Sequence, residues 1–203
     1  MTGIDVLLFD LGGVLIHFSG VEEIQPLLPE PLSPEAIRAR FGESLTLREY
    51  ETGLLAPSEF AQRFVADWNL QVPADAFLTA FRGWSHGFLP GAEDLLARLR
   101  TRYRIAALSN SNPTHWDRNA TDLGVPRWFD AVFSSHELGH HKPAPEIYLR
   151  ALAALGVAPG QVCFFDDSAL NVAGAEAVGI RAFRTCGVAE LSACLQAQGL
   201  LLD

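Results

Sequence analysis

The stretch Ile4–Leu15, IDVLLFDLGGVL, decides how this chain folds. Its first six residues are almost continuously apolar and stop at Asp10, with the Gly12-Gly13 pair close behind. A short apolar run without polar alternation suits a strand covered on both faces, as in a parallel sheet between layers of helices. Runs of the same kind recur at Arg104–Leu108, Ala131–Phe133 and Val162–Phe165, with a weaker one at Ile180–Phe183. Helical spacing fills the gaps. Ala92, Leu95, Leu96 and Leu99 mark one helix, and Tyr148, Ala151, Leu152 and Leu155 mark another that Gly156 ends. A third runs through Val172–Val178 to Gly179. Strand and helix in alternation predict an α/β fold built on a doubly wound parallel sheet.

Residues 16–87 break the rhythm. They carry helical patterns at Glu35–Phe41, Ser58–Trp68 and Ala74–Trp84 and no strand-like run. Ser58 is placed to cap one of these helices, and Leu70–Pro73 reads as a turn. The expectation is a catalytic core of residues 1–15 and 88–203 with an all-helical cap, 16–87, inserted after the first strand. Helices packed permanently on the sheet are the plainer alternative. The proline-rich segment Pro26–Pro34 is the one linker-like stretch, and Trp68 and Trp84 read as core of the helical part.

Composition narrows the classes. At 203 residues, 49% hydrophobic and 19% charged, the chain suits a packed globule rather than a disordered one. Its net charge is −9 and no Lys or Arg cluster stands out, which argues against a nucleic-acid surface. No apolar run reaches the ~18 residues of a membrane span. Three cysteines without a CxxC pair point to a reduced, cytoplasmic protein. Oligomeric state leaves no mark in the sequence.

Four polar signatures each follow a predicted strand: Asp10 with Gly12 and Gly13, Ser109-Asn110, Lys142-Pro143, and Asp166-Asp167 with Asn171 beyond. Ligands bind at the carboxyl ends of strands in open parallel sheets. These residues offer a carboxylate nucleophile, a hydroxyl donor, a cation and a carboxylate cluster for a metal. That set serves phosphoryl transfer through an aspartyl-phosphate.

With those residues in view the chain resembles the haloacid dehalogenase superfamily from Val6 to about Phe183. FDLGGVL (Phe9–Leu15), LSNSN (Leu108–Asn112), HKPAPEIY (His141–Tyr148) and FFDDSALNVAGAEAVGI (Phe164–Ile180) are similar to its four motifs, in order. The nearest texture is that of phosphatases acting on sugar phosphates such as glucose 1-phosphate. The resemblance implies a Mg²⁺-dependent phosphatase of a small phosphate ester. In that reading Asp10 is the nucleophile, Ser109 and Asn110 bind the phosphoryl group, and Lys142 steadies both the phosphate and Asp10. The metal would take Asp10, the Gly12 carbonyl, Asp167 and Asp166, with Asn171 orienting metal-bound water. Asp166 reads also as a cap for the helix that follows it.

Gly12 departs from the pattern, since most phosphatases of the family carry an aspartate there as acid and base. Acid–base assistance is typically worth ~10²–10⁴-fold, so a plain alkyl ester should react slowly. A better leaving group such as an anomeric oxygen, a stand-in acid such as His17, or a lost activity would each account for the glycine; other histidines read as structural or surface. Two other functions stay open. A 2-haloacid dehalogenase needs no acid at Gly12 and no metal, but carries small polar residues where Asp166 and Asp167 stand. A non-catalytic member would bind a metabolite or partner without turnover.

Overall fold

The structure, a computed structural model, describes residues 3–201. Five strands form a parallel sheet: β1 (Val6–Phe9), β4 (Arg104–Ser109), β5 (Ala131–Ser134), β6 (Val162–Asp166) and β7 (Arg181–Arg184), in the order β5-β4-β1-β6-β7. The chain builds outward from β1 to β5 on one side and then crosses to β6 and β7 on the other. β1 therefore sits at the switch point, where carboxyl ends diverge and leave a crevice.

The apolar runs are strands because both their faces are covered. Leu7 and Phe9 of β1 point into one core with Ile105, Cys163 and Phe165. Helices α6 (Ala92–Leu99) and α11 (Gly187–Ala197) close it through Leu95, Leu96, Leu191 and Leu195. Val6 and Leu8 point the other way, against Tyr148 and Leu152 of α9 (Pro145–Leu155) and Ala175 of α10 (Ala169–Ala177). All four β1 side chains are fully buried, each contributing roughly 1.5–3 kcal/mol relative to exposure. α7 (Pro113–Thr121) and the single turn α8 (Ser135–Leu138) complete the layers.

Between β1 and β4 run α1 (Gly20–Ile24), α2 (Pro34–Glu43), α3 (Leu45–Glu51), α4 (Pro57–Trp68) and α5 (Ala74–Arg82). They surround their own core, an aromatic one: Tyr50, Phe60, Phe64, Trp68, Phe77, Phe81 and Trp84. Ser33 and Ser44 cap α2 and α3 by accepting from the amides of Ala36 and Leu47. The expected Ser58 cap falls inside α4. Pro57 holds the first helical position, where its missing N–H costs nothing, and Ala56 precedes it.

The segment also contains strands that the sequence did not announce. β2 (Ile16–Phe18) and β3 (Ser85–Phe88) pair antiparallel, Ile16 opposite Phe88, at the point where the chain enters and leaves the helical part. Neither is long enough to show a period, and an irregularity at His17/Phe18 breaks the register. Side-chain bonds then tie the helices to α7. Arg82 pairs with Asp117 at 2.9 Å and with Asp122 at 2.6 Å, and the Tyr50 hydroxyl meets that of Thr114.

Candidate active site

The carboxyl ends of β1, β4 and β6 bring the predicted residues together. Asp10 follows β1 directly, and its amide donates to the Phe165 carbonyl of β6 at 2.8 Å. Lys142 reaches it from the loop before α9 and is 1% exposed. Its ammonium has three protons and three acceptors: the Leu108 carbonyl at 2.9 Å, Asp10 Oδ1 at 2.8 Å and Asp166 Oδ2 at 2.6 Å. Nothing is left over for it to wander toward.

Two neighbours hold Lys142 in that position. Asn110 accepts from the Lys142 amide through Oδ1 at 2.8 Å and donates to its carbonyl through Nδ2 at 3.0 Å, imitating a strand partner. The Asn110 side chain, expected at the phosphoryl group, is thus committed to the lysine backbone. Gly174 of α10 is the second neighbour: a Cβ there would lie 2.6 Å from the Pro143 carbonyl, so only glycine lets the helix seat against this loop. Ser109 ends β4, buried at the same edge.

Asp166 and Asp167 have different surroundings. Asp166 is fully buried and accepts from Lys142, from the Ser168 amide at 2.8 Å and from Asn171 Nδ2 at 3.0 and 3.1 Å. Its oxygens are therefore well supplied with donors. Asp167 is half-buried beside Gly13, whose positive φ of 73° and missing Cβ leave room for it; a Cβ there would stand 2.5 Å from Asp167 Oδ2.

Burial pushes the Asp10 carboxyl up to about 7, Lys142 pulling it down and Asp166 pushing it further up. Burial alone would lower the Lys142 ammonium, but Asp10 and Asp166 together hold it above its ordinary value. Asp167 is raised too, by burial and then by Asp166. Oxygens of Asp10, Asp166 and Asp167 all lie within 4.8 Å of one another. Three carboxylates against one ammonium leave an excess of negative charge in a partly dry site. Hard oxygen donors with that excess fit a divalent cation such as Mg²⁺.

Gly12 lines the cavity above Asp10, and its backbone is ordinary. The nearest atom to a Cβ placed there is Phe18 Cβ at 4.0 Å, so a side chain has space. Gly13, not Gly12, is the position that requires glycine. His17 does not line the cavity; its ring stacks on His86 at 4.9 Å between centroids. It is badly placed to stand in for a missing acid.

A cavity of about 410 Å³ lies over the strand ends, with Asp10, Ser109, Asn110, Lys142 and Asn171 at its floor. The helical part roofs it with Phe18, Phe41, Leu47, Phe81 and Trp84, and Arg38 and Arg48 flank the opening. Trp84, read from sequence as core, is both core and lining. Also in the lining are two residues that sequence reasoning passed over as a pair. His141 donates from Nε2 to Glu51 of α3 at 2.8 Å while its Nδ1 meets Asn110 Nδ2 at 3.1 Å. A lone Glu in a helix 90 positions from a His carries no signal of such a pairing. His115, likewise read as structural, is buried between Asn112 and the Phe81 carbonyl, and burial pushes its ring down to about 4.

Known proteins match this chain along most of its length. The family model described as haloacid dehalogenase-like hydrolase matches residues 4–179. A D-ribitol-5-phosphate phosphatase of Bacteroides thetaiotaomicron is 25% identical over 185 residues, covering 88% of this chain and 90% of that protein. The crystal structure of a haloacid dehalogenase family enzyme from Bacteroides thetaiotaomicron, in complex with magnesium and inorganic phosphate, superposes with a TM-score of 0.73 at 27% identity, covering 89% of this chain and 93% of that one. An (S)-2-haloacid dehalogenase of Burkholderia cepacia is 32% identical over 111 residues, 54% of this chain and 47% of that protein.

Proposed function

The chain belongs to the haloacid dehalogenase-like hydrolases, and we propose that within this family it is a Mg²⁺-dependent phosphatase of a small phosphorylated metabolite. The observation that carries the reading is the cluster of Asp10, Asp166 and Asp167 around a single ammonium, which leaves charge for a cation to balance. Both the ribitol-phosphate phosphatase and the magnesium–phosphate complex among its relatives support it.

In this reading Asp10 attacks phosphorus, the ester oxygen leaves with its bonding electrons, and an aspartyl-phosphate forms. Water then attacks the same phosphorus, inorganic phosphate departs and Asp10 is restored. Lys142 keeps Asp10 aimed and supplies positive charge beside the phosphoryl oxygens, while the Ser109 hydroxyl donates to one of them. Asp10, the Gly12 carbonyl and the open carboxylate of Asp167 would hold Mg²⁺. Asp166 stands close enough to share it, yet its bonds to Lys142, Asn171 and Ser168 suit a tether. Bound there, Mg²⁺ offsets the repulsion between two anions that must meet. Residues 16–87 serve as the cap of a catalytic core formed by 1–15 and 88–203. Three unpaired cysteines favour the cytoplasm, and no helix of the described residues is long and apolar enough to cross a membrane.

Phosphate release from an aryl phosphate tests the reading. It should require Mg²⁺, stop with chelator and return when the metal is restored. Full activity in chelator, or halide released from 2-chloropropionate in its place, would overturn it in favour of dehalogenation.

A further inference from the structure

Two features of the cavity bear on what leaves when the phosphate ester breaks. The first is the missing acid. Gly12 has no side chain, His17 points elsewhere, and His115 is neutral with both ring nitrogens committed. Glu51 is held by the His141 N–H. The ester oxygen must therefore leave with little help from a proton donor, as a weakly basic oxygen can.

The second feature is the roof. Polar side chains lining it are largely bonded to one another: Ser85 donates to Asn119 Oδ1 at 2.6 Å, His115 to the Phe81 carbonyl at 2.7 Å, and Asn112 to His115 at 3.0 Å. A polyol placed here would bury hydroxyls opposite Phe41, Leu47, Phe81 and Trp84 without partners for most of them. An aromatic ring would find faces and edges to stack on. Two cations of the lining are weakly engaged. Arg38 lines the cavity with only Glu35 for a charged partner, at 3.9 Å, both side chains largely exposed. Arg48 lines the cavity, exposed, with only the Gly42 carbonyl at 3.3 Å for a hydrogen-bond partner. In a protein of net charge −9, two arginines in the cavity lining make a place for an anion.

We propose that the substrate is an aryl phosphate whose ring carries a carboxylate: phosphate on Asp10, ring under the aromatic roof, carboxylate toward Arg48 and Arg38. This rests on the phosphatase reading above and narrows it. Phosphoryl passes from the phenolic oxygen to Asp10 and on to water, and the phenolate takes its proton from solvent.

The test compares carboxyphenyl phosphate, phenyl phosphate, glucose 1-phosphate and ribitol 5-phosphate as substrates with Mg²⁺. Alongside, calorimetry measures binding of the product, hydroxybenzoate, which needs no turnover. Carboxyphenyl phosphate should have the highest kcat/KM, about tenfold above phenyl phosphate and mainly through KM, the size expected of a charged hydrogen bond. In Arg48→Gln that ratio should fall toward one, and Arg38→Gln should weaken hydroxybenzoate binding several-fold. A sugar phosphate with the highest kcat/KM overturns the proposal, as does hydroxybenzoate that fails to bind or binds Arg48→Gln equally well. Hydroxybenzoate bound in an Arg48-dependent way, with no phosphate released from any ester, supports the cavity assignment and counts against the phosphatase reading alone.

Discussion

The floor and the roof of the cavity are built by opposite means. At the floor, Asp10, Lys142 and Asp166 are buried, and Lys142 ties the two carboxylates together through charged hydrogen bonds no longer than 2.8 Å. At the roof, Phe18 is 43% exposed and the aromatic side chains meet through ring contacts less demanding of exact geometry than charged hydrogen bonds. Charges at the floor are over-determined, so removing one disturbs all. Roof residues can be exchanged singly, because apolar packing tolerates substitutions of similar volume. Reaction chemistry thus belongs to the rigid side and choice of substrate to the adaptable one.

The sharpest way to break this contrast is Asp10→Asn. The amide is nearly isosteric but cannot attack phosphorus, so phosphate release should fall by roughly 10⁴–10⁶-fold, as when other covalent nucleophiles are removed. Circular dichroism should show the fold intact. Turnover retained in the variant would remove Asp10 from the chemistry. Gly12→Asp comes next and adds a function to the floor. The backbone there accepts a side chain, so the variant should fold and should speed primary alkyl phosphates by up to ~10²–10⁴-fold while flattening the dependence of rate on leaving-group pKa. No change in that dependence, in a wild type that already handles alkyl esters well, would show that another group supplies the proton.

Lys142→Met tests over-determination directly. It leaves Asp10 and Asp166 buried against each other, and urea unfolding at neutral pH should show a loss of about 3–5 kcal/mol. With the cation gone, the Asp10 carboxyl rises further above its unfolded value, so the folded variant binds more protons than the unfolded one. Its stability should therefore recover on acidification toward pH 5. A loss below 1 kcal/mol would mean that the floor is no more constrained than the roof.

The smallest effect concerns the joint between the two regions. His115 titrates at about 4 when folded, against 6.5 unfolded. Between those values the unfolded chain binds the extra proton, so this ring's contribution is full above pH 6.5 and is lost as the pH falls toward 4. The difference amounts to about 3 kcal/mol. His115→Gln should flatten the slope of unfolding free energy against pH in that window. Asp10, raised toward 7, contributes with the opposite sign in both proteins, and the comparison cancels it.

The floor was legible in the sequence and the roof was not, for a physical reason. A strand covered on both faces must be apolar throughout, and the polar residue that ends it must be where solvent and ligand begin, so Asp10, Ser109 and Asp166 announce themselves. Lys142 was found beside Pro143, though its three acceptors were invisible. Asn110 was read as a phosphate ligand because nothing in the sequence shows that its amide matches a lysine backbone 32 residues away. Of the two adjacent glycines, the sequence singles out Gly12 for the acid it lacks, whereas Gly13 is the one whose positive φ requires glycine. β2 and β3 are too short for any period to appear. Glu51, Arg48 and Trp84 gain their roles only from where the helices place them.

The β2–β3 ribbon has a bearing on descent as well as on structure. Since Ile16 lies opposite Phe88 and His17 opposite Gly87, the two ends of the helical segment are neighbours in space. A stretch of 16–87 can then be lengthened, replaced or pared back to a hairpin while β1 and β4 still meet in the same register. Such a joint lets one hydrolytic platform exchange its entire upper half in a single genetic event. A pared-back descendant would present Asp10 at an open surface, within reach of a phosphate carried on a macromolecule rather than on a metabolite small enough to be enclosed.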